Sequence, residues 1–188
     1  MPYKLLTVEE FLDSCPNDHR HYQLFDGVMV AMAPPAIRHQ IITPNVIYEM
    51  ERTVRVNLPN CTTRWHAGVA PQGLSGRNHF ETDLTVTCEA GGYKGIAAEP
   101  VLIVEIQSPS TERDDHFVKL PHYQNLPSLQ EILYVESQRV AATLYRRSGE
   151  GWATIELDGG DARLQLATIG LDIELAALYR GVPGLAAG

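Results

Sequence analysis

Asp83, Glu105, Gln107, Asp115 and Lys119 carry the chemistry this sequence offers. Glu105 interrupts the apolar run from Val101 to Ile106. A run so rich in β-branched residues reads as a strand buried on both faces. A carboxylate inside such a strand is costly unless it is paired or bound to a cation. The two-residue repeat of a strand places Glu105 and Gln107 on the same face. Asp83 opens a second short strand, DLTVT. If the two strands pair, both carboxylates converge on one divalent cation. Hard oxygen donors, with water and a substrate phosphate, suit Mg²⁺, or alternatively Mn²⁺. Such an ion acidifies a bound water and offsets charge on a reacting phosphate, and a nearby lysine neutralises charge in the transition state.

Each of these residues also has a plainer role open to it. From spacing alone, Lys119 reads as a solvated helix residue paired with Asp115. Gln107 either satisfies backbone groups at the strand end or holds a ligand or water. His39 either caps a helix or contacts a phosphate. Gln23 reads as structural, or as a partner for metal-bound water. Tyr22, Phe25, Trp65 and Trp152 read as core residues, and Arg38, Arg52, Arg55, Arg64 and Arg77 as surface charges or the wall of a phosphate groove.

The elements that must position these groups follow from pattern. Thr7 with Glu10 three residues later is a capping box for a short helix. Asp26-Gly27 between two apolar runs predicts a hairpin turn. Ile41, Ile42, Val46, Met50 and Val54 recur at helical spacing, which predicts a long helix from Ile37 to Leu58 with Pro44 near its first turn. Strands are expected at Thr62 to Pro71, Asp83 to Thr87, the central run and Ile132 to Glu136. Val140 to Arg146 and Trp152 to Leu157 read as a meander that turns at Ser148-Gly149, and Leu171 to Tyr179 as strand or short helix. Between the central strand and Ile132, Asp115, Lys119 and Tyr123 stand four apart and share one helical face. The whole reads as α/β with a mixed sheet.

A chain of 188 residues accommodates one well-buried domain. No apolar stretch is long enough for a membrane helix. Acids near the N-terminus, where a secretory signal has its apolar core, predict a cytoplasmic protein. Cys15, Cys61 and Cys88 form no C-x-x-C pair and read as reduced thiols. Neither His19/His21 nor His116/His122 has the spacing of a helical zinc pair. The net charge of −8 argues against extensive nucleic-acid contacts by a monomer while leaving room for a local basic groove. There is no G-x-S-x-G and no activated cysteine, so a small-molecule hydrolase lacks its nucleophile.

Taken in order, YQLFDG from Tyr22, then His39, then ETDLTV from Glu81, then VLIVEIQSPSTERDD from Val101 followed by Lys119 and Tyr123 resembles a known family. It is the "Putative restriction endonuclease" family of the PD-(D/E)XK nuclease superfamily. The family pattern runs Y-E-L-x-D-G, a His opening the long helix, P-D-L-x-V, and E-V-x-S-P-S-T followed by D-x-x-x-K-x-x-x-Y. The resemblance extends over roughly residues 5 to 180. It implies one PD-(D/E)XK-type domain over residues 1–188, built on a restriction-endonuclease-like mixed β-sheet flanked by helices with extra antiparallel strands. It implies a Mg²⁺-dependent endonuclease acting on DNA, with Asp83 and Glu105 as metal ligands; access to both strands of a duplex then calls for a homodimer. Gln107 stands where the superfamily usually has its lysine, and Lys119 matches the lysine moved to the next helix. Gln23, His39, Asp115 and Tyr123 match the supporting positions. Three departures stand out: Gln23 replaces a Glu and removes a carboxylate, Thr82 replaces a Pro, and Pro121 follows Lys119 closely. They keep open a second reading, a nuclease-fold module that binds DNA or protein with weakened turnover.

Overall fold

The structure is a computed structural model that describes residues 4–89, 92–108, 115–149 and 151–185; the side chains of Asp115 and His116 lie outside the described residues. Helix α1 (Val8–Ser14) starts at the expected capping box: Thr7 accepts from the Glu10 amide and Glu10 accepts from the Thr7 amide. Strands β1 (Tyr22–Phe25) and β2 (Val28–Ala31) form the predicted hairpin. Asp26 and Gly27 both take positive φ at its turn, +47° and +85°. Two consecutive left-handed residues are what a tight hairpin demands, so Asp-Gly was a sound signal there.

The long helix α2 spans Ile37–Asn57. Pro44 lies well inside it rather than in the first turn, so the Gln40 carbonyl loses its helical N–H partner. The helix persists because Ile42, Val46, Met50 and Val54 are each at most 2% exposed against the sheet. Burial of this kind stabilises by about 1.5–3 kcal/mol per large side chain, comparable with the cost of an internal proline.

Strands β3 (Thr62–Trp65), β4 (Gly68–Val69), β5 (Phe80–Glu81), β6 (Leu84–Thr87) and β7 (Pro100–Gln107) come next. A π-helical turn, Asp115–Lys119, then leads into helix α3 (Leu120–Gln124). The rest is β8 (Glu131–Glu136), β9 (Ala141–Ser148), β10 (Gly151–Asp158), β11 (Arg163–Leu166), β12 (Leu171–Glu174) and a 3₁₀ turn, Leu175–Tyr179. Six strands form the main sheet in the order β10-β9-β8-β7-β6-β3. Only β7 and β8 run parallel; the other pairs are antiparallel. The sheet is therefore mixed, as expected. The short pairs β1-β2, β4-β5 and β11-β12 lie outside it.

β7 alternates between two buried layers. Leu102, Val104 and Ile106 join the core under α2, while Ile103 joins Tyr123, Leu129, Ile132 and Tyr134 on the α3 side. By the same alternation Glu105 belongs to the α3 layer. Pro121 falls in the first turn of α3, so it starts the helix rather than breaking it.

Two further expectations fail. Cys61 and Cys88 are joined as a disulfide, not reduced, and Cys15 is an exposed free thiol. The register that pairs Thr62 with Thr87 brings the two flanking cysteines together, although they are 27 residues apart in sequence. Trp65 is 58% exposed rather than core, because it ends the edge strand β3. Tyr22 is buried and Phe25 and Trp152 partly buried, as expected of core aromatics.

Candidate active site

Strands β6 and β7 pair antiparallel with Leu84 opposite Val104, which sets Asp83 opposite Glu105. The Ile106 amide donates to Asp83 Oδ2 at 2.7 Å, and the Asp83 amide donates to Glu105 Oε2 at 3.3 Å. Each carboxylate is thus held by the backbone of the other strand. Asp83 stands where β6 begins, within reach of α2 as well as of the sheet.

From the α3 layer, Lys119 Nζ lies 3.2 Å from Glu105 Oε1, and the Tyr123 hydroxyl donates to the same oxygen at 2.7 Å. Lys119 is 5% exposed and Glu105 3%. The two charges offset each other where neither could stand alone. Lys119 is therefore a buried partner of Glu105, not the solvated surface residue that spacing alone allowed. The four-residue step from Lys119 to Tyr123 crosses from the π-turn into α3 and still points both groups at one oxygen.

From the other side, His39 in the first turn of α2 lies with Nε2 3.0 Å from Asp83 Oδ1. Thr43 donates its hydroxyl proton to the His39 carbonyl at 2.8 Å and lies 3.2 Å from His39 Nδ1. With that proton committed, Thr43 Oγ1 accepts from Nδ1–H while Nε2–H donates to Asp83, the pattern of an imidazolium. Burial pulls the His39 pKa down, but the hydrogen bond to Asp83 and the charges of Asp83 and Glu105 outweigh it and raise it. His39 thus contacts a carboxylate, a partner that neither sequence alternative named.

Gln107 is 2% exposed, and both its side-chain oxygen and nitrogen lack partners among the described residues. Gln23 is 6% exposed with its side-chain oxygen likewise unpartnered. The side chain of Asp115 lies outside the described residues. So the structure brings Asp83, Glu105, Lys119, His39 and Tyr123 into one connected network and places two buried amides with unmet hydrogen-bonding capacity.

Two carboxylates on opposed strands with an unsatisfied buried amide fit a hard divalent cation and its waters. Asp83 and Glu105 are the residues that would hold it. Sequence reasoning passed over one further group. His21, His66 and Glu81 stand together, with both imidazole Nδ1 atoms 2.7 Å from Glu81 Oε1. His66 feels the charges of Asp83 and Glu105, so the cluster lies beside the first site. No short-range spacing marks three ligands that come from three separate segments.

Residues 8–177 match the family described as "Putative restriction endonuclease" (Uma2). An uncharacterised protein of Synechocystis sp., slr1290, is 29% identical over 191 residues, covering 96% of this chain and 95% of that one. A crystal structure of a "putative nuclease belonging to DUF820" from Anabaena variabilis superposes with a TM-score of 0.74 at 16% identity, covering 93% of this chain and 97% of the other. The six-stranded mixed sheet with its helices and extra antiparallel strands is a restriction-endonuclease-like fold.

Proposed function

The chain belongs to the "Putative restriction endonuclease" family, and from that premise we propose that it is a metal-dependent endonuclease that hydrolyses phosphodiester bonds in DNA. The observation that carries this reading is the convergence of Asp83 and Glu105 across the β6/β7 pair with Lys119 on the Glu105 carboxylate. A divalent ion, Mg²⁺ or Mn²⁺, when bound, supplies an acidified water and charge neutralisation at the phosphate.

The chain's own residues do the rest. Asp83 and Glu105 present fixed oxygens, held in place by the Ile106 and Asp83 amides. Lys119 keeps a positive charge beside Glu105, where it offsets negative charge on a pentavalent phosphate and orients the attacking water. Gln107 offers a donor and an acceptor that no described residue uses, suited to positioning that water. His39 holds the rotamer of Asp83, and Tyr123 that of Glu105. A duplex presents two strands, which calls for a homodimer with two such sites.

The test is nicking of supercoiled plasmid by the purified protein with Mg²⁺ or Mn²⁺, beside Glu105→Ala and Lys119→Ala. Metal-dependent nicking is expected, with each substitution lowering the rate by about 100-fold or more, the scale of losing one transition-state contact. Wild type and variants equally inert across salt and DNA sequence would overturn the enzyme reading. The nuclease-fold binding module would then replace it.

A further inference from the structure

We infer that His21, His66 and Glu81 form a second metal site of different chemistry from the Asp83/Glu105 pair, one that takes Zn²⁺. The three ligand atoms lie within 4.8 Å of one another. Three elements deliver them. His21 immediately precedes β1, His66 occupies the turn between β3 and β4, and Glu81 lies in β5 opposite Gly68. His66 holds a left-handed conformation, φ +53°, which turns its ring back toward Glu81. The imidazole rings sit 5.0 Å apart, tilted by 34°. Glu81 is the shielded member, with its side chain 13% exposed, while His21 and His66 are 57% and 45% exposed. The cluster therefore has a fixed floor and an open outer side through which an ion and its water can enter.

The donor set decides the ion. Two imidazole nitrogens and one carboxylate oxygen suit a borderline first-row ion, whereas Mg²⁺ prefers an all-oxygen shell. Three protein ligands leave the fourth tetrahedral position for water. Bond lengths of about 2.0–2.2 Å put tetrahedral ligand atoms roughly 3.3 Å apart. The present 2.7 Å contacts would each open by about half an ångström, which side-chain rotation of the two partly exposed imidazole rings supplies. The neighbouring Asp83 and Glu105 add negative potential at His66 and favour a cation there.

The test is equilibrium binding of Zn²⁺ to the full chain by calorimetry, with Co²⁺ substitution read by visible absorption. The expected result is one Zn²⁺ per chain with a tetrahedral Co²⁺ spectrum. His66→Asn, whose side chain tolerates the left-handed turn, Glu81→Gln and the exposed His21→Ala should each weaken binding by about 100-fold or more. Circular dichroism and urea midpoints of the metal-free variants establish that they fold. The double variant Asp83→Asn/Glu105→Gln should keep the Zn²⁺ signal, and this readout does not depend on DNA cleavage. Absent Zn²⁺ binding, binding untouched by His21→Ala and His66→Asn, or loss of the signal in the Asp83/Glu105 variant would overturn the site.

Discussion

At the scale of single residues, the oxygen Oε1 of Glu105 decides the local energetics. It receives both Lys119 and Tyr123, and all three side chains are buried. A hydrogen bond to a charged acceptor contributes about 1.5–3 kcal/mol when buried. Tyr123→Phe keeps the ring edge-on to Phe80, at 5.8 Å between centroids, and removes only the hydroxyl. We expect it to lower unfolding stability by about 1.5–3 kcal/mol, read as a shift in urea midpoint at unchanged slope. An unshifted midpoint would mean that the hydroxyl does not hold Glu105. The acids at this site were legible because a carboxylate in an apolar strand needs an explanation. The His39–Asp83 contact was not, since it joins a helix start to a strand start 44 positions away, and local pattern marks each residue without pairing them. Lys119 shows a third case: spacing alone permitted a surface role, and only family resemblance pointed inward.

At the scale of elements, strong periodicity carried over and weak or non-local signals did not. The hairpin at Asp26-Gly27, helix α2 and strand β7 each rest on a local pattern long enough to read. β5 has two residues, too short for any repeat to show. The disulfide was hidden for a related reason, because the β3/β6 register creates it. β3 is the edge of the main sheet, held by one neighbour, and the Cys61–Cys88 bridge ties it down. The bridge closes a loop of 27 residues that carries His66, Glu81 and Asp83. Closing a loop of that length removes chain entropy worth about 3.5 kcal/mol from the unfolded state. Reduction with dithiothreitol, or Cys88→Ala at an exposed position, should therefore lower stability by about 2–4 kcal/mol in denaturant titrations. Identical midpoints under oxidising and reducing conditions would show that the bridge does not restrain the unfolded chain.

At the scale of the whole molecule, charge sets the terms on which the DNA of the proposed function would bind. Twenty-three acids against fifteen lysines and arginines leave a net charge of −8. Asp83, Glu105 and Glu81 gather near one end of the β6/β7 pair, so a phosphate approaching the site meets a negative field. The surface beside His66 offers some relief: an open groove of about 330 Å³ is lined by Thr63, Arg64, Trp65 and His66. An exposed indole and a guanidinium there suit stacking on a base and contact with a phosphate. On the proposed function, affinity for DNA must come chiefly from bound divalent ions and this groove, not from a broad basic face. The expected result, by fluorescence anisotropy of a labelled duplex, is weak binding in EDTA and binding at least about tenfold tighter with Ca²⁺, an ion that also takes oxygen ligands. The slope of log affinity against log salt should be no steeper than about −4, because few phosphates are neutralised by side chains. Trp65→Ala should weaken the Ca²⁺-dependent binding without changing that slope, since stacking releases no counterions. Tight binding in EDTA with a steep slope would instead reveal a basic footprint that the charge balance hides. The affinity would then belong to the surface rather than to the ions at Asp83 and Glu105.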